Sequence, residues 1–332
     1  MKWGLIGASS IAANHMIRAI RGQGGEIASV LSSHADRAAS YAEEHDIAAG
    51  FTDLDALLDD ESVEAVYIST TNEKHFPQAM AAIAAGKHVL CEKPLAMKVE
   101  DAVTMVRAAA EAGVTFGTNH HLRNAGSHLA IREAVQSGRI GEVLSIRVFH
   151  AVFLPPFLQG WRIDNPSAGG GVIPDIVVHD ADTVRFHLGE DPAEVVAIDG
   201  SSGMGQGVED SVMSVWTMPS GVMVQAHESF THAFAGTGIE VHGTDGSILA
   251  RNVMTQRPIG EVILRTEHGE QAIPFSDHNL YDRSVRLFAE AVTGKGRPAA
   301  DGVDGVKSLA VASAVAEAAR TGRRVAVDYG GI

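Results

Sequence analysis

The sequence contains a single cysteine, Cys91, among 332 residues. One thiol cannot form an intramolecular disulfide, so a disulfide-stabilised secreted fold is excluded and a reducing compartment, most simply the cytoplasm, is expected. No run of 18 or more consecutive apolar residues predicts a membrane span, and no charged-then-apolar leader predicts secretion. We interpret Cys91 as a small buried residue rather than a nucleophile, because a strand position beside Glu92 disfavours the thiolate.

Basic residues are also scarce, with 26 Lys and Arg against 41 Asp and Glu and a net charge of −15. This balance argues against a nucleic-acid partner and against adhesion to anionic membranes, although a local basic pocket can still hold a cofactor phosphate. The sixteen histidines, among them His120, His121, His128 and His150, form no H-E-x-x-H motif or Cys/His ladder. We therefore expect no catalytic metal.

The pattern of apolar and polar residues changes near residue 120. The length of the chain predicts about two domains. Before that point, short apolar runs alternate with helical patterns, which is typical of a doubly wound parallel sheet. The predicted strands are Trp3–Gly7, Glu26–Ser32, Ala65–Ser69, His88–Cys91 and Val114–Thr118, and the predicted helices are Ile11–Gln23, Asp36–His45, His75–Ala85 and Val99–Ala112.

Beyond about residue 140, period-two strands joined by tight turns predict three hairpins and a large open, mainly antiparallel sheet. A last helix is predicted at Val306–Thr321. The expected fold class is therefore α/β, with a dinucleotide-binding domain at 1–120 and an α+β substrate domain at 121–332. A cleft between the two parts is the expected ligand site. The exposed sheet face allows either a homo-oligomer or a monomer.

The first strand runs into a turn of small residues, Gly7-Ala8-Ser9-Ser10, and a helical pattern follows from Ile11. Such a strand–turn–helix lets a pyrophosphate sit against backbone N–H groups at a helix N-terminus. The fingerprint G-x-G-x-x-A would have glycine at Ser9, but a small hydroxyl residue keeps the approach possible. The alternative is an ordinary tight turn that opens an α/β domain.

The end of the second strand indicates which nucleotide binds. An NAD site usually has a carboxylate there, whereas this strand ends in Ser32 and Ser33, with Arg37 one turn later. Hydroxyls and a guanidinium would hold a 2′-phosphate, so NADP(H) is favoured over NAD(H). Asp36 is assigned to the helix N-terminal turn. The alternative is that the serines and Arg37 are surface turn residues.

Two further strand ends carry polar residues. Thr70, Thr71, Asn72 and His75 follow the strand that ends at Ile68, although Asn72 is also explained as a helix N-cap. The next strand runs into Glu92-Lys93-Pro94. Side-chain packing does not readily explain a charged pair followed by proline at the end of a buried strand, so we interpret the pair as part of the ligand site. The alternative is an ordinary surface turn.

The Glu92-Lys93-Pro94 motif, together with the later run from Gly169-Gly170-Gly171 to Asp175 and His179, resembles the glucose–fructose oxidoreductase/inositol dehydrogenase (Gfo/Idh/MocA) family over essentially the whole chain. This resemblance implies a Rossmann domain followed by a substrate domain. One branch of the family reduces the ketone of a cyclic anhydro-sugar with NADPH. The sequence resembles that branch in four segments, residues 7–9, 119–124, 154–156 and 159–162. Ser9 and the pattern Ser32, Ser33 and Arg37 agree with that branch.

The resemblance also implies a set of dinucleotide contacts. These match Ala8, Ser9, Ser10, Ile11, Thr70, Thr71, Asn72, His75, Glu92 and Lys93, with Asn119, Trp161, Arg162 and Tyr281 closing over the nicotinamide end. Without the family, Trp161-Arg162 is interpreted as an exposed loop with one anchoring aromatic, and Tyr281 as the start of an amphipathic helix.

Ketone reduction leaves negative charge on oxygen, which must be stabilised and then protonated. Lys93 is the candidate for placing an ammonium beside that oxygen, and His179 is the candidate general acid. Asp175, one helical turn before His179, would fix the imidazole tautomer or bind substrate hydroxyls, unless the two form only a structural pair. The glycine run would let the chain pass close to the sugar, and Asp180 and Asp182 are expected to be ordinary helix charges.

Three functions remain open from the sequence. The first is the NADPH-dependent reduction of a cyclic sugar ketone. The second is an NAD(P)-dependent dehydrogenase of another sugar or cyclic polyol, with hydride moving the other way. The third is a nucleotide-sensing protein without catalysis, which the joint presence of Lys93, Asp175 and His179 disfavours.

Overall fold

The computed structural model describes all residues 1–332. The N-terminal part of the chain contains a six-stranded parallel sheet, and its strands lie in the order β3-β2-β1-β4-β5-β6. Its strands are β1 (Lys2–Ile6), β2 (Glu26–Leu31), β3 (Ala49–Phe51), β4 (Ala65–Ile68), β5 (His88–Cys91) and β6 (Phe116–Thr118). The predicted doubly wound parallel sheet is confirmed. β3 was missed because three residues are too few to show a period.

Helices follow most of these strands. They are α1 (Ile17–Gly22), preceded by a π-helical turn at Ala12–Met16, then α2 (Ala35–Glu44), α3 (Leu54–Leu58), α4 (Asn72–Ala84) and α5 (Val99–Ala112). Four of the five were predicted within a few residues, and the five-residue α3 was not. The π-helical turn widens the first helix directly after the predicted phosphate turn, and such turns occur frequently at functional sites.

The second sheet has nine strands in the order β14-β13-β12-β11-β7-β10-β9-β8-β15. The remaining elements, in chain order, are α6 (Gly126–Gln136), β7 (Val143–Ala151), α7 (Trp161–Asp164), a π-helical turn (Ile173–Val177), α8 (Val178–Leu188), β8 (Glu194–Gly200), β9 (Ser211–Thr217), β10 (Met223–Ser229), β11 (Thr237–Gly243), β12 (Ser247–Arg251), β13 (Glu261–Thr266), β14 (Gly269–Ala272), α9 (Leu280–Val292), α10 (Gly302–Thr321) and β15 (Val325–Ala326).

All three predicted hairpins are confirmed as antiparallel pairs, β9 with β10, β11 with β12, and β13 with β14. The sheet is nevertheless mixed, because β10 pairs in parallel with β7 at its centre. Period-two patterns reveal hairpins because the two strands are neighbours in sequence. The β7–β10 pairing joins residues about 80 positions apart and left no such signal.

The chain divides into two compact units. The first consists of residues 1–120, 281–306 and 332, and the second of residues 121–280 and 307–331. Residues 281–306, which the sequence analysis placed in the second domain, therefore pack in the first unit. There the Phe288 ring lies against Trp3 from β1, with ring centroids 5.3 Å apart.

In the second unit, one face of the sheet is covered and the other is open. Strand β10 shows the alternation, since Val224, Ala226 and Glu228 point into the core while Met223 is exposed. The exposed face carries further large apolar side chains, Leu144, Val196, Ile198, Met213 and Val215. No helix in the structure has the length and apolar character needed to span a bilayer.

Candidate active site

In the first unit, the turn after β1 has the shape expected of a phosphate-binding turn. Gly7 has φ of +118°, and a Cβ there would lie 3.1 Å from the backbone of Ser69 and Thr70. The Ser9 hydroxyl caps the helix by accepting from the Ala12 N–H at 3.2 Å, and it hydrogen-bonds the Ser69 hydroxyl at 2.7 Å. The first N–H groups of the helix, at Ser10 and Ile11, are those that no intrahelical bond reaches.

Helix α2 holds this turn through two donors. The Arg37 guanidinium donates to the Ala8 carbonyl at 2.6 Å, and the Tyr41 hydroxyl donates to the Ser9 carbonyl at 2.9 Å. Burial is the main cause that raises the pKa of Tyr41 to about 12, so this hydroxyl stays a donor. Ser32 is buried and Ser33 is exposed. Arg37 therefore lies beside the turn that follows β1. Tyr41 was missed, although its position one turn after Arg37 was a usable signal.

The loop after β4 is tied to the loop after β5 by His75. The His75 ring is fully buried, with Nδ1 2.8 Å from the Pro94 carbonyl and Nε2 3.2 Å from the Thr70 carbonyl. Burial lowers its pKa. Thr71 occupies the N-cap position of α4 and Asn72 is the first helical residue, so the alternative interpretation of Asn72 as an N-cap is wrong. The surroundings of His75 indicate that it fixes the two loops together.

Glu92 is held by two side chains within the first unit. Its Oε1 accepts from the Tyr67 hydroxyl at 2.5 Å and from the Asn119 amide at 2.6 Å. Burial raises the pKa of Glu92, and the hydrogen bonds from Tyr67 and Asn119 work against that increase. Glu92 and Lys93 are both partly exposed. The motif is therefore a carboxyl held by two donors, followed by a partly exposed lysine.

Asn119 and Tyr281 lie in the same network. The Ser284 hydroxyl donates to the Asn119 side-chain oxygen at 3.1 Å, so α9 is linked through Asn119 to Glu92. Tyr281 is fully buried and stacks on His15, with ring centroids 4.5 Å apart. Burial, and then the charge of Glu92, raise the pKa of Tyr281 well above its usual range. Two of the four residues predicted at the nicotinamide end, Asn119 and Tyr281, therefore lie near the Glu92 carboxyl.

Cys91, at the end of β5, is fully buried, and burial raises the pKa of its thiol well above the usual range. This confirms its interpretation as a small buried residue.

In the second unit, Trp161 and Arg162 begin the short helix α7. The Arg162 guanidinium lies 4.6 Å from the centre of the Trp161 ring, donates to the Leu158 carbonyl at 3.2 Å and pairs with Asp175 at 3.4 Å. The pair joins the helix at Trp161 to the glycine-rich motif. Asp175 thus fixes Arg162, a contact that the sequence analysis did not anticipate.

The glycine run makes room for the protein's own chain. A Cβ on Gly170 would lie 2.5 Å from the Trp161 carbonyl, and one on Gly171 would lie 2.3 Å from Glu209 Oε1. Glu209 also accepts from the Ile173 N–H at 3.0 Å. The sequence analysis expected these glycines to make room for a sugar. In the structure they make room for the Trp161 carbonyl and the Glu209 side chain. Glu209 was missed, because it is about 35 residues away in sequence.

His179 lies in α8, immediately after the π-helical turn that contains Asp175, so the predicted helix is confirmed. Its ring contacts His121 edge-on with centroids 4.8 Å apart and lies 6.4 Å from the centre of the His150 ring. The interpretation of Asp180 and Asp182 as ordinary helix charges is wrong, because both are buried. Asp182 accepts from Arg123 Nε at 2.7 Å, which compensates part of the cost of burying both charges.

Residues 1–120 match a family model described as "Oxidoreductase family, NAD-binding Rossmann fold", and residues 128–249 match the GFO/IDH/MocA C-terminal domain. The chain belongs to the Gfo/Idh/MocA family of oxidoreductases. The resemblance carried by Glu92-Lys93-Pro94 and the glycine-rich run is confirmed, and with it the expectation of an enzyme of the oxidoreductase class.

Among Gfo/Idh/MocA relatives, the 1,5-anhydro-D-fructose reductase of Ensifer adhaerens is 57% identical over 330 residues, which cover 99% of both chains. D-Xylose 1-dehydrogenase (NADP(+)) 2 of Haloferax volcanii is 29% identical over 99% of this chain and 100% of its own. A solved structure, the aldose-aldose oxidoreductase of Caulobacter crescentus complexed with glycerol, has a TM-score of 0.90 at 24% identity, covering 98% of this chain and 99% of its own. The last likeness shows the fold.

For a Gfo/Idh/MocA chain, the first unit meets the requirements of a nicotinamide dinucleotide. Free N–H groups at a helix start suit a pyrophosphate, and the exposed Arg37 beside the turn suits a further phosphate. The residues predicted as cofactor contacts in this unit lie at the carboxyl ends of β1, β2, β4, β5 and β6 or at the start of α9. This is the edge at which open parallel sheets bind ligands.

Proposed function

We propose that the chain is an NADPH-dependent reductase that converts 1,5-anhydro-D-fructose, a cyclic sugar ketone, to 1,5-anhydro-D-mannitol. The observation that carries this proposal is the 57% identity to a 1,5-anhydro-D-fructose reductase over 99% of both chains. Enzymes of one family can share a fold and act on different substrates, so the fold alone would not support a proposal that names the substrate.

The preference for NADP(H) over NAD(H) is part of the proposal. Arg37 is supported as the 2′-phosphate ligand by its place beside the first turn, where its guanidinium holds the Ala8 carbonyl. Exposed Ser33 offers a hydroxyl to the same phosphate, and no carboxylate stands at the end of β2 to repel it. The remaining predicted contacts in the turn, in the loop after β4 and at Glu92 would line the rest of the dinucleotide.

The chemistry assigns separate roles to Lys93 and His179. Bound NADPH supplies the hydride to the carbonyl carbon. The Lys93 ammonium stabilises the negative charge that develops on the carbonyl oxygen, and His179 donates the proton that completes the alcohol. Glu92, fixed by Tyr67 and Asn119, holds the segment that presents Lys93. Asp175 positions Arg162 and is proposed to contact substrate hydroxyls, while Arg162 is proposed to close over the nicotinamide end of the dinucleotide.

A second candidate function is the oxidation of an aldose with NADP⁺. It is favoured by the 29% identity to an NADP(+)-linked D-xylose 1-dehydrogenase over the whole chain. The same groups serve either direction, because His179 would then accept the proton that the alcohol releases as hydride leaves. The proposed setting is the cytoplasm, with a small sugar-like molecule as the substrate.

The test compares three reactions of the purified protein. The proposal predicts a fall of NADPH absorbance with 1,5-anhydro-D-fructose that is much faster than the formation of NADPH from D-xylose or of NADH from myo-inositol. Formation of 1,5-anhydro-D-mannitol identifies the product. Faster oxidation of D-xylose would select the second function. No turnover in any reaction, with NADPH still bound, would select the non-catalytic sensor.

A further inference from the structure

Behind His179, three titratable side chains from three separate elements meet in the core of the second unit. Asp180 of α8 and Glu228 of β10 are both fully buried, and His150 of β7 is 8% exposed. Glu228 and His150 are direct neighbours across the parallel β7–β10 pair. The His150 Nδ1 lies 3.0 Å from Asp180 Oδ1. The proposed reaction gives none of these three residues a role.

Apart from the His150 contact to Asp180 Oδ1, the two carboxyl groups have no hydrogen-bond donor in the protein. Asp180 Oδ2 and both oxygens of Glu228 are buried without a hydrogen-bond partner of good geometry. Two ionised carboxylates in contact inside a core would be very costly, whereas one proton between them provides the missing donor. Burial raises the pKa of Asp180, and burial followed by the charge and hydrogen bond of Asp180 raises the pKa of Glu228.

Other titratable groups face this cluster. His179 follows Val178 on α8 and lies beside His150, with ring centroids 6.4 Å apart. His121, in the 3₁₀ turn after β6, contacts His179. In α6, the pKa of His128 is lowered by burial and also by the charge of His150. The groups around the cluster are therefore imidazoles, whose protonation responds to the charge that the carboxyl pair carries.

We propose that Asp180 and Glu228 share a single proton, and that the one negative charge left on the pair holds His150 through its Nδ1–H and keeps His179 protonated for donation. The catalytic part of this proposal rests on the proposed function. When His179 donates, its N–H bond breaks and an O–H bond forms on the sugar. The shared proton stays on the pair, so Asp180, Glu228 and His150 are positioning residues.

The first experiment tests the shared proton without any substrate. The infrared spectrum of the wild-type protein at neutral pH should contain the C=O band of a buried protonated carboxylic acid. Glu228→Gln should remove that band, because the amide replaces the protonated acid as donor to Asp180. Absence of the band from the wild type, or its persistence in Glu228→Gln, would overturn the proposal.

The second experiment follows the titration of His179 by NMR. The negative charge lies on Asp180, beside His150, and the proton on Glu228, so Asp180→Asn puts a neutral amide in place of the charged member while Glu228 stays protonated, and the pKa of His179 should fall. Glu228→Gln replaces the protonated member, keeps the charge on Asp180 and should leave the titration of His179 in place. The control is Glu240→Gln, since Glu240 pairs with Arg147 at 3.0 Å on the surface. An unshifted His179 in Asp180→Asn, or equal shifts in all three variants, would refute the coupling.

Activity gives the third readout. In Asp180→Asn, kcat for ketone reduction should fall by about tenfold at neutral pH, and its decline with rising pH should begin at lower pH, with KM for NADPH unchanged. A fall in kcat without any change of the pH profile would show a merely structural role and overturn the positioning role. If the wild type reduces no sugar ketone, the proposed function fails, while the infrared and NMR results still decide the shared proton.

Discussion

Replacing Tyr67 with phenylalanine removes one hydroxyl group from the network that holds Glu92. The hydroxyl donates to Glu92 Oε1 at 2.5 Å, and after the change only Asn119 donates to that oxygen. Tyr67 is fully buried in β4, so the phenylalanine ring keeps the packing of the tyrosine ring. The variant therefore isolates one hydrogen bond to a charged group.

The expected size follows from the charge on the acceptor. A hydrogen bond to a charged group contributes about 1.5–3 kcal/mol, against about 0.5–1.5 kcal/mol for one between neutral groups. Tyr41→Phe is the matched control, because it removes a 2.9 Å bond to the neutral Ser9 carbonyl within the same unit. With about 2–4 °C per kcal/mol for domains of about 150–250 residues, Tyr67→Phe should lower Tm by roughly 3–12 °C. The control should lower it by about half as much.

The pH dependence distinguishes the two variants further. Burial already raises the pKa of Glu92 above its usual value of 4.5, and the bond from Tyr67 opposes that increase. Removing the bond raises the folded-state pKa further, so ionising Glu92 costs more at neutral pH. That extra cost disappears as the pH falls below the raised pKa, because Glu92 is then neutral in both proteins.

Thermal melts at several pH values between 7 and 4 measure this difference. The Tm gap between wild type and Tyr67→Phe should be widest at neutral pH and narrow in acid, while the gap for Tyr41→Phe stays constant. A Tyr67→Phe gap that is independent of pH, or one no larger than that of Tyr41→Phe, would show that the Tyr67 hydroxyl does not stabilise the Glu92 carboxylate.

Ser33→Asp should raise KM for NADPH and lower that for NADH through repulsion of the 2′-phosphate; an unchanged ratio of the two would contradict the placement of that phosphate. Lys93→Ala and His179→Ala should each lower kcat by about a hundredfold or more while NADPH still binds, as fluorescence titration would show, and near-normal turnover in either removes that residue from the reaction. Gly171→Ala should destabilise more than Gly207→Ala, because both have positive φ but only the first places a Cβ against Glu209; equal changes in Tm would argue against that contact.

The parts of the fold that were predicted correctly are those encoded by neighbours in sequence. Buried strands and helices longer than about ten residues can be predicted from the spacing of their apolar residues, and hairpins from the turn residues between two strands. The Glu92-Lys93-Pro94 motif was recognisable because a charged pair after a buried strand has few structural explanations. Arg37 was selected as a candidate because it follows the second strand within one turn, and its role stays a prediction. In each case the informative residues stand within a few positions of each other.

The groups that were missed come from distant segments. Tyr67 looked like one more apolar residue of β4, and only the structure shows its hydroxyl on Glu92. Glu228 carried a weak signal, since it continues the inward alternation of Val224 and Ala226. Glu209 was invisible, because its contact with Gly171 depends on two loops meeting.

The sequence by itself determined the doubly wound sheet, the hairpins, the family and the strand ends that carry polar residues, because periodicity and motif spacing are local properties of the chain. Tertiary structure decided that 281–306 packs in the first unit, that β7 lies beside β10, and that Asp180, Glu228 and His150 meet in one core. The physical reason is that burial and pairing depend on which distant segments come together, and that is what changes an ordinary helix charge into a buried acid.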